Sequence, residues 1–172
     1  MSSTTPRINS TFEAAIIAWL ASASGVTVAW AEQADELRPA LPYVTANITG
    51  YGASEGFPAK VSNGDDTYTL EIKKTLNVSI SAFGENSGVL IDLVTDSYYS
   101  ESEIALLQEA GLYLRAMSDP IPLAEIIEGE WEQRWAVDIT FAYAKDITTT
   151  IGYVDRVSGT IFDNNFDTNN EV

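Results

Sequence analysis

The sequence predicts an α+β fold: a central, mainly antiparallel β-sheet flanked by α-helices, with a long β-hairpin arm. Three observations carry that expectation. Several segments alternate apolar and polar residues at a period of two. Three others carry apolar residues at helical spacing between helix-start and helix-stop residues. Turn-forming Asn, Gly, Asp and Pro residues separate them. The order helix, three strands, two helices, three strands lacks the strict strand–helix alternation of a parallel sheet.

Ser10-Thr-Phe-Glu13 has the form of a capping box. Phe12, Ala15, Ile16, Trp19, Leu20 and Ala23 follow at helical spacing, and Gly25 is a stop, so a helix is expected over 10–24. Val26, Val28 and Trp30 alternate with Thr27 and Ala29 and give a short strand. Residues 32–41 are polar and contain Pro39, which reads as a turn or linker. Val44, Ala46 and Ile48 share one face of a second strand over 43–51.

Residues 52–66 hold three glycines, Pro58, Asn63-Gly64 and two adjacent aspartates. They read as a long hairpin connection. Tyr68, Leu70, Ile72, Leu76, Val78, Ile80 and Ala82 keep one parity, with Lys73 and Lys74 in the middle: a solvated arm that becomes a core strand. Phe83-Gly84 ends it. Asn86 or Ser87 caps a helix carrying Val89, Leu90, Leu93, Val94 and Tyr98. Ser100-Glu-Ser-Glu103 is a second capping box, opening a helix that Gly111 closes. Leu112, Leu114 and Ala116 begin a strand stopped by Pro120 and Pro122. Residues 123–129 read as irregular.

Trp131, Trp135, Val137, Ile139, Phe141 and Tyr143 then alternate with polar or small residues in the clearest strand of the chain. Residues 148–157, rich in Thr and β-branched residues, predict a last strand. Residues 163–172, rich in Asn and Asp, read as an acidic, flexible C-terminal tail after a single domain over 1–162.

The chain has 172 residues, 45% of them apolar, enough for one ordinary core. It carries 9 basic against 25 acidic residues, a formal charge of −16. Such a surface repels nucleic acid phosphates and anionic bilayers. There is no Cys and no His. This removes thiolate chemistry, His metal sites, Ser-His dyads and the commonest base near neutral pH. No apolar run reaches membrane-helix length, and residues 1–9 lack the basic and apolar regions of a secretory leader. No cofactor or metal is expected.

Asp163, Asn165, Asp167, Asn169 and Glu171 occupy alternate positions, as oxygen ligands do in a calcium loop, but the turn Gly and terminal Glu of such a loop are missing. A solvated tail is the better reading. A calcium-dependent binding module using this segment or Asp65-Asp66 stands as a distant alternative. Glu128, Glu130, Glu132, Arg134 and Asp138 offer carboxylates, yet nothing in their spacing makes two converge across a cleft as acid–base chemistry needs. From Glu85 to Glu132 there are eleven acidic residues and one basic, Arg115.

Four pieces of sequence carry a resemblance. They are Arg38-Pro-Ala-Leu-Pro-Tyr-Val44, the strand ending at Phe83-Gly84, the helix start at Asn86-Ser87, and Trp131-Glu-Gln-Arg-Trp-Ala-Val-Asp-Ile-Thr-Phe-Ala-Tyr143. Together the chain resembles the tail terminator, or neck terminator, proteins of tailed bacteriophages over residues 10–157. The resemblance implies a non-enzymatic virion protein of the tail or neck, assembled in the host cytoplasm. It implies a homo-oligomer, a hexameric ring at the head-proximal end of the tail tube. The implied partners are the tail tube protein, the head–tail connector or adaptor and, in contractile tails, the sheath. Genomic DNA would pass the lumen without specific binding, and no membrane is involved. A head-completion or connector adaptor of the neck is the nearer alternative.

A ring of this kind needs surfaces that meet neighbouring copies. The candidates are Phe57, Lys60, Asp65 and Asp66 in the hairpin arm, and Asp92 and Asp96 on the acidic helix. Glu101 and Glu103 at the next helix start and Glu130, Glu132 and Arg134 on the outer face of the late strand complete the set.

Overall fold

The computed structural model of the chain describes residues 10–31, 38–52, 56–63, 67–123, 125–127, 130–150, 156–161 and 164–169. The described elements are α1 (Ser10–Ser24), β1 (Thr27–Trp30), β2 (Tyr43–Tyr51), β3 (Ala59–Ser62), β4 (Thr67–Phe83), α2 (Ser87–Ser97), α3 (Glu101–Glu109), β5 (Tyr113–Met117), β6 (Ile121–Pro122), β7 (Glu125–Ile127), β8 (Glu130–Glu132), β9 (Arg134–Thr150), β10 (Arg156–Ile161) and β11 (Asn164–Asn169). This is the expected α+β class. Its contacts fall into two compact units, residues 1–57 with 73–145 and residues 58–72 with 146–172, and β4 and β9 contribute to both.

In the first unit the sheet runs β1-β2-β4-β9-β5, with β6 on β9. β1 lies parallel to β2, and the pairs β2–β4, β5–β9 and β6–β9 are antiparallel. Between β4 and β9, Arg134 reaches Ser81 and Thr140 reaches Asn77. One number rises as the other falls, so this pair is antiparallel too.

One parity of these strands makes the core. Val44, Ala46, Leu76, Val78, Ile80, Ala82, Val137, Ile139 and Phe141 meet Ile16, Trp19, Leu20, Leu90, Ile91, Val94, Leu107 and Leu112. All three helices therefore cover one face of the sheet. Trp19 sits edge-on to Phe141, centroids 6.1 Å apart, and its Nε1 donates to Ser97 Oγ at 2.9 Å. A buried indole thus keeps its one polar atom satisfied. Alanines dominate α1 between these anchors and suit a helix interior. The other parity is polar and small: Thr45, Asn47, Asn77, Ser79, Ser81 and Thr140.

In the second unit β3 pairs antiparallel with β4, Ala59 opposite Glu71 and Ser62 opposite Tyr68. The Asn63 amide N–H donates to Thr67 O at 3.1 Å, closing the hairpin expected around Asn63-Gly64. Lys60 Nζ lies 4.0 Å from the Tyr68 ring centroid. β10 pairs antiparallel with β11, from Arg156 opposite Asn169 to Ile161 opposite Asn164.

Four local differences from the sequence reading have physical causes. The capping box at Ser100 is half formed. Ser100 holds the N-cap position with extended backbone, but it makes no side-chain cap bond. Glu103 accepts from Ser22 Oγ of α1 at 2.8 Å, a tertiary bond in place of the local one. Residues 125–127, expected to be irregular, form a strand that pairs with residues 130–132 in a small ribbon, β7–β8. The late strand breaks at Gln133, whose carbonyl accepts from the Gly84 amide at 3.0 Å. That break resets the alternation and leaves Trp131 75% exposed, off the core face it was expected to share with Trp135. Finally, β9 continues to Thr150, past the expected end at Tyr143 and into the separate strand expected over 148–157, and Asn164–Asn169 of the expected tail pairs with β10.

Candidate interaction surface

The four sequence pieces that carried the resemblance converge in the first unit. Tyr43 opens β2 and Phe83 closes β4, directly opposite in the ladder. Their rings stack, centroids 4.8 Å apart at 11°. Each ring has its own guanidinium. Arg38 Cζ lies 5.5 Å from the Tyr43 centroid, and Arg134 Cζ 5.1 Å from that of Phe83. Such cation–π pairs are each worth about 0.5–1 kcal/mol when exposed.

Polar bonds fix the same group. Arg38 Nε donates to Tyr43 Oη at 2.9 Å, and Arg38 Nη2 donates to the Glu132 carboxylate. Glu132, then the Tyr43 hydroxyl, hold the Arg38 guanidinium above its ordinary pKa, against the lowering effect of burial. Arg134 Nη2 donates to Ser81 Oγ at 3.3 Å.

Two glycines let the backbone close in. Gly84 has φ +95°, and a Cβ there would sit 3.2 Å from Leu41 Cδ2 and 3.4 Å from Pro42 Cα. At Gly88, in the first turn of α2, a Cβ would sit 3.2 Å from the Trp135 indole. The chain therefore seats the start of α2 on Trp135 and the end of β4 on the Leu41-Pro42 segment. This joint makes no nucleophile or proton shuttle. Its carboxylate is committed to Arg38, and its arginines clamp aromatic rings.

The expected contact residues lie on several elements of both units. Phe57 is fully exposed at 101%, and Lys60, Asp92, Asp96 and Glu101 are exposed. Glu103 is half-buried and tied to Ser22. Glu132 and Arg134 are half-buried within the joint. Glu130 lies in β8, where it pairs with Ile127. Asp65 and Asp66 lie outside the described residues. Sequence reasoning missed Arg38, Tyr43, Phe83, Gly88 and Trp135 as one unit. The signal was present, since all five lie in or beside the four recognisable pieces. Among the described residues no group of three or more Asp, Glu, His or Cys is placed to hold a metal ion. Among them, too, no helix is long and apolar enough to cross a membrane.

The first unit is thus an α+β sheet covered by helices on one face, with an aromatic–arginine joint and exposed apolar side chains outside it. The model of the family described as phage neck terminator protein matches residues 10–165, and the chain belongs to that family. It is thus a structural protein of the phage neck or tail in the virion, one that associates with other neck and tail components. A comparison with curated proteins finds no match.

Proposed function

We propose that the protein assembles as a homo-hexameric ring that caps the head-proximal end of the tail tube, ends tube polymerisation and joins the tail to the head–tail connector. In a contractile tail the same ring meets the last sheath ring. The observation that carries this reading is family membership over 10–165. Three features support it. The charge of −16 lets duplex DNA pass a lumen without adhesion. A chain without His or Cys loses nothing in a role that breaks no bond. The exposed Phe57, Lys60, Asp92, Asp96 and Glu101 are available for contact, and Asp65, Asp66, Glu103, Glu130, Glu132 and Arg134 belong to the same proposed set. Assembly takes place in the host cytoplasm, before the tail joins the head.

Tail tubes grown with and without the purified protein test this. Capped tubes of one length with a six-fold ring at one end are expected. A twelve-fold ring on the portal would make the protein a connector adaptor instead. A monomer that never alters tube length would overturn the reading.

A further inference from the structure

The parity that builds the core does not stop with the first unit. In the second, Tyr68, Leu70 and Ile72 continue the positions of β4 that Leu76, Val78 and Ile80 hold in the core. The hydroxyl oxygens of Thr69 and Thr148 lie 3.4 Å apart, and Thr140 donates to Asn77 at 3.0 Å. Both pairs fit one unbroken antiparallel register of β4 on β9, which sets Ile147 opposite Leu70. On the other side Lys60 of β3 is opposite Leu70 too, its ammonium over the Tyr68 ring. Four apolar side chains thus share one sheet face with a lysine. Ile147 is 41% exposed, Lys60 is exposed, and Tyr68, Leu70 and Ile72 are half-buried. The carboxylates Glu71 and Asp146 have the other parity.

In the first unit three helices cover this parity; among the described residues the second unit has no helix. An apolar sheet face is completed by another layer. A helix that supplies one from outside must turn apolar side chains to solvent. Among the described residues α1 and α3 expose no large apolar side chain, whereas α2 exposes Val89 at 56% and Leu93 at 47%, one turn apart. Asp92 and Asp96 stand in the same stripe, exposed and in no ion pair. Asp96 lies in the last turn of α2, the negative end of the helix dipole, where no basic residue answers it. The stripe therefore matches an apolar face that brings a cation, and the Lys60 face of the second unit is one. The Tyr68 ring holds that ammonium in place without cancelling its charge.

Both patches are exposed in the single chain, so neither covers the other within one copy. We propose that α2 of one copy packs across the β3–β4–β9 face of the next, with Val89 and Leu93 on Leu70, Ile72 and Ile147, and Asp92 and Asp96 beside Lys60. The neighbour's helix supplies the layer that the second unit lacks. A contact between two different patches is heterologous, and a ring forms when its rotation closes. The inference rests on the ring reading above and names the surfaces that build the ring.

The test uses the full chain, which has no cysteine of its own. Leu93→Cys and Ile147→Cys together in one chain, oxidised after assembly, are expected to give a covalent ladder beyond the dimer on a denaturing gel; either cysteine alone gives dimers at most. By mass photometry, Lys60→Glu should weaken assembly at least about tenfold, since it sets like charges face to face. Asp92→Lys with Asp96→Lys in the same chain restores it. Rings of the double-cysteine chain that give no ladder, or charge reversal without effect or rescue, overturn this contact and leave the ring reading standing. Leu93→Glu that spares the ring and abolishes only its seating on tail tubes assigns the stripe to the tube protein and overturns the contact as well. Wild-type protein that stays monomeric even on tail tubes overturns both.

Discussion

Arg38 and Glu132, 94 residues apart in sequence, are ion-paired, and they join the segment before β2 to the end of β8. The Glu132 side chain is only 11% exposed in this pair and that of Arg38 36%. Arg38→Ala leaves a largely covered carboxylate without its cation. With the arginine partly in water, the loss is expected at about 1 kcal/mol. A double-mutant cycle with Glu132→Gln, followed by urea unfolding, should show coupling of that order that shrinks at high salt. Additive single effects would mean the pair contributes nothing.

Gly84→Ala should destabilise more. The new Cβ must occupy φ +95° and press on Leu41 and Pro42. Strain of this type costs about 1–3 kcal/mol. Gly88→Ala is the informative contrast, because its helical backbone accepts alanine and gains helix propensity, while the Trp135 ring must give way. Calorimetry of the two variants should place Gly84→Ala well below Gly88→Ala in melting temperature.

Phe141→Ala removes a fully buried ring from the edge-on contact with Trp19. A loss of about 3–5 kcal/mol is expected. Near-ultraviolet circular dichroism should lose signal in parallel, since Trp19 would no longer be held in one orientation. A loss below about 1 kcal/mol would contradict the packing described.

Burial raises the pKa of both Tyr51 and Tyr143 above the ordinary tyrosine value of 10.0, with Glu13 and then Tyr143 adding to the shift at Tyr51. The neutral phenols are favoured in the fold. Their contribution is complete below pH 10 and is lost as pH rises through the raised folded values. Stability should therefore fall on the alkaline side. The double variant Tyr51→Phe, Tyr143→Phe should fall less steeply there, while matching the slope of the wild type near neutral pH.

Much of this fold is legible in the sequence because its periodicities are clean. Ile16, Trp19 and Leu20 announce α1, and Leu76, Val78 and Ile80 announce the core half of β4. What escapes is what depends on partners distant in sequence. Glu103 sits where a capping box would use it, yet Ser22 of another helix claims it. Trp131 has the parity of a core residue, but the bond between Gln133 and Gly84 interrupts the strand and turns it to solvent. The joint of Arg38, Tyr43, Phe83 and Glu132 could be quoted from the sequence as separate pieces. Only folding shows that they are one object.

The central claim is a role by fit between copies at the end of a tail tube. Cryo-electron microscopy of the virion neck tests it most directly. The account predicts six copies of this chain in a ring on the head-proximal face of the tube. A neck without the polypeptide, or with it as isolated single copies, would contradict it.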